Sequence, residues 1–156
     1  MVFKNGSSNQ VISPQQQYRM IHDIYVLLQD GDSRVLRKFD LTSSQYGLLM
    51  LLDLEKGQRL VDLSERLMLA RSTITRIVDQ LEKRDFVRRV PDPEDRRAQR
   101  VILTELGAER REEAHVAHEE SLQRRLSMLS DDERRQLSGL LSKMRLALHA
   151  DLSSIS

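Results

Sequence analysis

The chain has 156 residues, the length of a single domain, and its charged share of 31% beside an apolar share of 39% excludes a disordered chain and marks a soluble globular one. It contains no cysteine, which excludes disulfides, thiolate zinc sites, cysteine nucleophiles and thiol redox sensing, and its aromatic share of 4% with no Trp speaks against a base-stacking single-strand binder. The net charge is only +1, but residues 71–100 hold nine Lys/Arg against six Asp/Glu, while 105–135 hold six Arg against nine Asp/Glu, a distribution that suggests a localised anion-binding surface.

Residues 1–13 are polar and unpatterned and are expected to form a flexible tail. The N-terminus has no apolar core of signal-peptide length, and the longest apolar stretch, around Tyr46–Leu52, falls far short of the about 20 residues that span a bilayer. A cytoplasmic protein with no membrane partner is expected. After Pro14, the residues Tyr18, Ile21, Ile24, Tyr25 and Leu28 recur at spacings of three and four, which predicts a helix. Asp30-Gly31-Asp32 is expected to interrupt or weaken it before Val35, Leu36 and Phe39 resume the apolar face. Thr42-Ser-Ser-Gln45 reads as a capping box, opening a helix over about 43–54 whose Leu48, Leu49, Leu51 and Leu52 suggest burial on more than one side, with Lys56-Gly57 as its end.

Two short helical patterns follow closely, one from about Asp62 to Met68 and one from about Ser72 to Arg84, as in a tight helix-turn-helix. The period then changes. Residues 86–90 and 100–103 are β-branched and partly alternating, and the proline-flanked stretch between them cannot donate to a ladder. Two antiparallel strands with a long charged tip are predicted. Thr104 caps a helix over about 105–129, and Ser130-Asp-Asp-Glu133 is a second capping box opening a last helix over about 131–150, striped by Leu137, Leu140, Leu141, Met144 and Leu148.

Function concentrates on the second helix of the pair. Ile74, Ile77, Val78 and Leu81 define its buried face, so Ser72, Arg76, Asp79 and Lys83 point the other way, flanked by Thr75 and Gln80. Ser72 and Thr73 at the helix N-terminus suit a phosphate, and Arg76 suits base edges in a major groove. Any solvated helix carries such residues. The preceding helix, the tight turn and a following hairpin with Arg96 and Arg97 at its tip add the context of a winged helix-turn-helix.

The stretch Leu41–Gly107 resembles the MarR family (multiple-antibiotic-resistance regulators) of bacterial transcription factors. The matching residues are Leu41-Thr42 with Gln45, Leu63-Ser64-Glu65-Arg66-Leu67, the run from Ser72 to Glu82, and Asp95-Arg96-Arg97 followed by Leu103-Thr104, which looks like the family's Asp-x-Arg wing and Leu-Thr. The flanking helices match by pattern and length only. The resemblance implies a mainly α fold with a small β-hairpin wing, a winged helix-turn-helix with N- and C-terminal dimerisation helices, in one domain over 1–156. Residues 14–40 and 105–156 would form the dimerisation helices and 41–104 the DNA-binding lobe. It implies a sequence-specific regulator of double-stranded operator DNA, acting as a homodimer on a palindromic site, usually as a repressor released by a ligand. Carried over residue by residue, Ser72, Thr73, Thr75 and Arg76 would face DNA and Arg97 would be the wing-tip arginine, with Asp95 steadying it; beside them, Arg71, Gln80 and Lys83 on the helix and Arg96 on the tip complete the expected DNA-contacting set. Two residues depart from the family pattern, Asp85 and Met68, where glycine is common.

No phosphate loop, zinc-peptidase signature or Ser-His-Asp context is present, so no enzyme and no cofactor are expected. Two alternatives stand beside the regulator: a winged-helix protein-interaction module without specific DNA binding, and a metal sensor using His115 and His118. The basic wing argues against the first, and chance placement of His on a charged helix argues against the second. Tyr18, Tyr25, Phe39 and Tyr46 could line a pocket for a small aromatic or phenolic effector, or serve as ordinary core or interface residues.

Overall fold

A computed structural model describes residues 12–95 and 97–155, with the side chain of residue 155 left out. Of the expected tail over residues 1–13, residues 1–11 lie outside the described residues, and Ser13 departs from the expectation as the N-cap of the first helix. The described residues fall into two compact units, divided after Val116.

In the first unit, α1 runs Pro14–Leu36 and is followed by a short 3-10 turn, Arg37–Phe39. The helix α2 (Ser43–Met50), the two-residue strand β1 (Gln58–Arg59), and the helices α3 (Leu60–Leu67) and α4 (Arg71–Glu82) come next. Strands β2 (Val87–Pro91) and β3 (Gln99–Leu103) form the hairpin, and α5 spans Glu105–Leu126. The sheet order is β1-β3-β2, antiparallel throughout, with Val87 opposite Leu103, Pro91 opposite Gln99 and Gln58 opposite Val101. The second unit holds the end of α5 and α6 (Asp131–Ile155).

The predicted caps form. Thr42 and Gln45 exchange both bonds of a capping box, as do Ser130 and Glu133, and the Thr104 hydroxyl accepts from the Gly107 amide at 3.0 Å. The core is one cluster in which Leu48 and Leu49 of α2, Leu63 of α3, Ile74, Val78 and Leu81 of α4, and Val87, Val101 and Leu103 of the sheet are closed off from solvent. Each such side chain contributes about 1.5–3 kcal/mol of burial, so this face, more than helix propensity, holds α4 in place.

Four expectations change. The helix α1 passes through Asp30-Gly31-Asp32 without a break, because residues 31–33 are half-buried and Arg34 Nε donates to Asp30 at 2.8 Å; these offset the about 1 kcal/mol that a helical glycine costs. The helix α2 ends at Met50 rather than near residue 54: the Leu51 and Leu52 amides bond three residues back, and the Asp53 carboxylate then takes the amides of Glu55, Lys56 and Gly57 into a turn. The Gly57 amide above all, then those of Glu55 and Lys56, lower the Asp53 pKa. The strand β1 was not expected. It is polar and two residues long, and it reaches β3 because Gly57 takes φ +61°, where a Cβ would stand 2.5 Å from the Val101 carbonyl oxygen. The last helix continues to Ile155 rather than stopping near residue 150.

Candidate nucleic-acid interface

The helix-turn-helix is built by a tight connection. Met68 caps α3 in the left-handed region at φ 52°, and the Leu69 amide bonds back to Ser64. The N-cap of α4 is Ala70, whose side chain has no acceptor, so no side chain covers the first-turn amides at this end. Asp85 ends the α4 segment at φ 55°, with the Phe86 amide on the Leu81 carbonyl at 3.0 Å. Both departures from glycine therefore sit in the backbone conformation that glycine serves.

On the outer face of α4, Arg71, Ser72, Thr75, Arg76, Gln80 and Lys83 are exposed and Thr73 is half-buried. The Thr75 hydroxyl donates back to the Arg71 carbonyl at 3.0 Å. Gln80 has an intramolecular partner: its side-chain oxygen accepts from Gln45 Nε2 at 3.1 Å, tying α4 to the capping box of α2. Among the described residues, the side chains of Arg71, Arg76 and Lys83 make no hydrogen bond or ion pair.

The wing tip is organised by a residue that the sequence pattern did not single out. The Asp92 side chain is fully buried and accepts from Arg59 Nε at 2.5 Å, from Arg100 Nε at 2.8 Å, and from the amides of Glu94 and Asp95 at 2.8 and 3.2 Å. Glu94 spans both guanidiniums at 3.5 Å, and the Asp92 amide closes the loop on Ala98. The bonds from Arg59 and Arg100 hold the Asp92 carboxyl well below the usual carboxylate range. Asp95 accepts from the backbone amide of Arg97 at 2.9 Å, so it shapes the tip through the main chain. The Arg97 guanidinium is exposed, and Arg96 lies outside the described residues. The sequence signal for Asp92 was its place between Pro91 and Pro93, where a buried acceptor can gather loop amides.

A second ion-pair group joins α4 to β2. Arg89 donates to Asp79 at 2.5 Å and to Glu82 through its other terminal nitrogen, while its backbone amide donates to Glu82 at 3.1 Å. Of the four aromatics considered for an effector pocket, Phe39 and Tyr46 pack against the core, Tyr18 is 71% exposed beside Pro14 and Arg19, and Tyr25 is exposed. The Tyr46 hydroxyl and His115 Nδ1 lie 3.0 Å apart, linking α2 to α5. Among the described residues no group of three or more His, Cys, Asp or Glu could hold a metal ion, and no helix is long and apolar enough to cross a membrane.

This geometry has known counterparts. The MarR family model matches residues 41–98. The transcriptional regulator PrsX of Escherichia coli is 33% identical over 129 residues, 81% of this chain and 77% of that protein. The chain belongs to the MarR family. Wild-type MarR from E. coli, solved in its apo form, superposes with a TM-score of 0.72 at 27% identity, covering 86% of this chain and 98% of that one. A mutant E. coli MarR solved with operator DNA gives a TM-score of 0.74 at 28% identity over 81% of this chain and 91% of its own. The chain is thus a winged helix-turn-helix transcriptional regulator that binds DNA, not an enzyme, and dimerisation and ligand response are typical of MarR-family proteins.

Proposed function

We propose that the chain acts in the cytoplasm as a homodimer on a palindromic operator, as a repressor that a small aromatic effector releases. In this reading α4 enters the major groove, with Arg71, Ser72 and Thr73 at phosphates and Thr75, Arg76, Gln80 and Lys83 toward base edges. Arg96 and Arg97 reach the neighbouring minor groove. Residues 14–40 and 105–156 serve dimerisation, and 41–104 form the DNA-binding lobe.

One observation carries this reading. Arg59, Arg89 and Arg100 are bound to carboxylates within the fold, whereas Arg76 on α4 and Arg97 on the wing are exposed and left for an outside anion. The operator complex of the related E. coli MarR supports the choice of duplex DNA as that anion. Dimerisation is supported separately by apolar faces that one chain leaves open: Tyr18, Ile24, Tyr25 and Leu27 on α1 are each more than half exposed, as are Leu140, Leu148 and Leu152 on α6. For the effector, Tyr46 and His115 offer a polar handle between α2 and α5.

The test is selection of bound sequences from random duplex DNA, repeated with phenolic compounds, beside sedimentation of the free protein. The expected result is a palindrome with half-sites about 10–10.5 base pairs apart, eluted by one of the phenols, and a species of twice the 18.1 kDa chain mass. A stable monomer that enriches no sequence would overturn it.

A further inference from the structure

The helix read as entering the groove carries no net charge. Within Arg71–Glu82 the two cations, Arg71 and Arg76, are matched by two anions, Asp79 and Glu82. Asp79 lies on the same outward strip as Arg76, three residues further on, and its side chain is half exposed. Two consequences would follow if these carboxylates stood free. They would repel phosphates lying within a Debye length of about 10 Å at 0.1 M salt. Asp79 would also compete for the Arg76 guanidinium, because residues three apart on a helix are neighbours.

The structure shows a third group intervening. Arg89 of β2, itself largely buried, places one terminal nitrogen on Asp79 and the other on Glu82, and its amide adds a bond to Glu82. Asp79 is engaged away from Arg76. We propose that Arg89 is a positioning residue for DNA binding, which neutralises the acidic half of α4 and leaves Arg76 available. This rests on the reading of α4 as the DNA-contacting helix.

The magnitudes say which consequence is larger. An exposed helical pair between Arg76 and Asp79 is a weak competitor, lowering operator preference by about twofold at most. A unit charge at the interface changes the slope of log affinity against log salt by up to about one, an about fourfold change in affinity between 50 and 200 mM salt. Charge dominates, and it orders a set of variants. The trio of Arg89, Asp79 and Glu82 carries −1 in the wild type. Arg89→Met makes it −2, Arg89→Met with Asp79→Asn and Glu82→Gln makes it neutral, and Asp79→Asn with Glu82→Gln alone makes it +1.

Affinity for the selected operator, read by fluorescence anisotropy at 50 and 200 mM salt, should follow that order. The Asp79→Asn/Glu82→Gln protein should bind best, then the triple variant, then wild type, then Arg89→Met, with the spread narrowing at the higher salt. If Arg89 were only a staple between α4 and β2, every variant would bind worse than wild type at both salts. That outcome would overturn the inference. Should Arg89→Met fail to fold in a thermal melt, the Asp79→Asn/Glu82→Gln protein still decides, because the two accounts give it opposite signs. Arg76→Ala is the control for the underlying reading: if it leaves operator preference unchanged, the placement of α4 is wrong; if it lowers preference while the charge order fails, only the role of Arg89 is wrong.

Discussion

Replacing Gly107 by alanine should destabilise the protein, although a helical Gly→Ala exchange ordinarily stabilises. Gly107 lies in the first turn of α5, and a Cβ there would stand 1.8 Å from the Phe86 carbonyl oxygen and 2.7 Å from its carbon. Both are backbone atoms, so no side chain can swing aside. The carbonyl would have to withdraw by about an ångström or more, which breaks its bond from the Thr104 amide and pulls on the Phe86 amide bonded to Leu81 of α4. Propensity gains about 1 kcal/mol, while overpacking costs about 1–3 and a stranded carbonyl a further 1–3. The net is a loss of about 1–5 kcal/mol. Gly47 of α2 is the control, since its Cβ would meet only the end of the Leu67 side chain at 3.4 Å. Gly47→Ala should gain up to about 1 kcal/mol. Urea denaturation of both variants reads the difference, and a Gly107→Ala protein as stable as wild type would refute the packing argument.

Further outcomes follow from the same structure. Met68→Gly should stabilise by about 1 kcal/mol, because Met68 is exposed and holds a left-handed backbone that costs a side chain of its kind; Asp85→Gly should gain less, since Asp tolerates that region better, and urea midpoints check both. Asp92, whose folded pKa is depressed, contributes stability that is fully present above its unfolded pKa of about 3.9 and is lost as pH falls through the lower folded value. Stability measured from pH 5 downward should therefore fall more steeply in wild type than in Asp92→Asn, and parallel curves would exclude this linkage. Arg97→Ala should weaken operator binding broadly, with any sequence effect confined to A·T content in the flanks, whereas Arg76→Ala should relax preference at one position per half-site by about 1–3 kcal/mol; titration against operators altered at the centre and at the flanks separates them.

What could be read from the chain alone was whatever depended on near neighbours. The spacing of Ile74, Ile77, Val78 and Leu81 defines a buried face because all four belong to one helix, and all four are buried. The capping boxes of Thr42–Gln45 and Ser130–Glu133 close within three residues and form as expected. The strand β1 is polar and too short for an alternation to register, and its pairing depends on a glycine turn set against β3. Asp92 looks like a solvated loop carboxylate until Arg59, 33 residues away, is brought against it. Asp79 sits on the outward strip as its spacing predicts, but its partner is Arg89 across a turn rather than a neighbour on its own helix. The segment Asp30-Gly31-Asp32 carries strong breaker signals, yet half-burial and the Asp30–Arg34 pair keep it helical.

The most direct test of the account is chemical footprinting of the selected operator by wild-type protein and by Arg97→Ala. With α4 in the major groove of two half-sites, guanine N7 should be protected from methylation at two symmetric positions about one helical turn, or 34–36 Å, apart. With the wing over the minor groove, adenine N3 should be protected in the flanks, and Arg97→Ala should lose that protection while keeping the guanine pattern. A single unsymmetrical footprint, or loss of guanine N7 protection in Arg97→Ala at saturating protein, would contradict the placement of helix and wing.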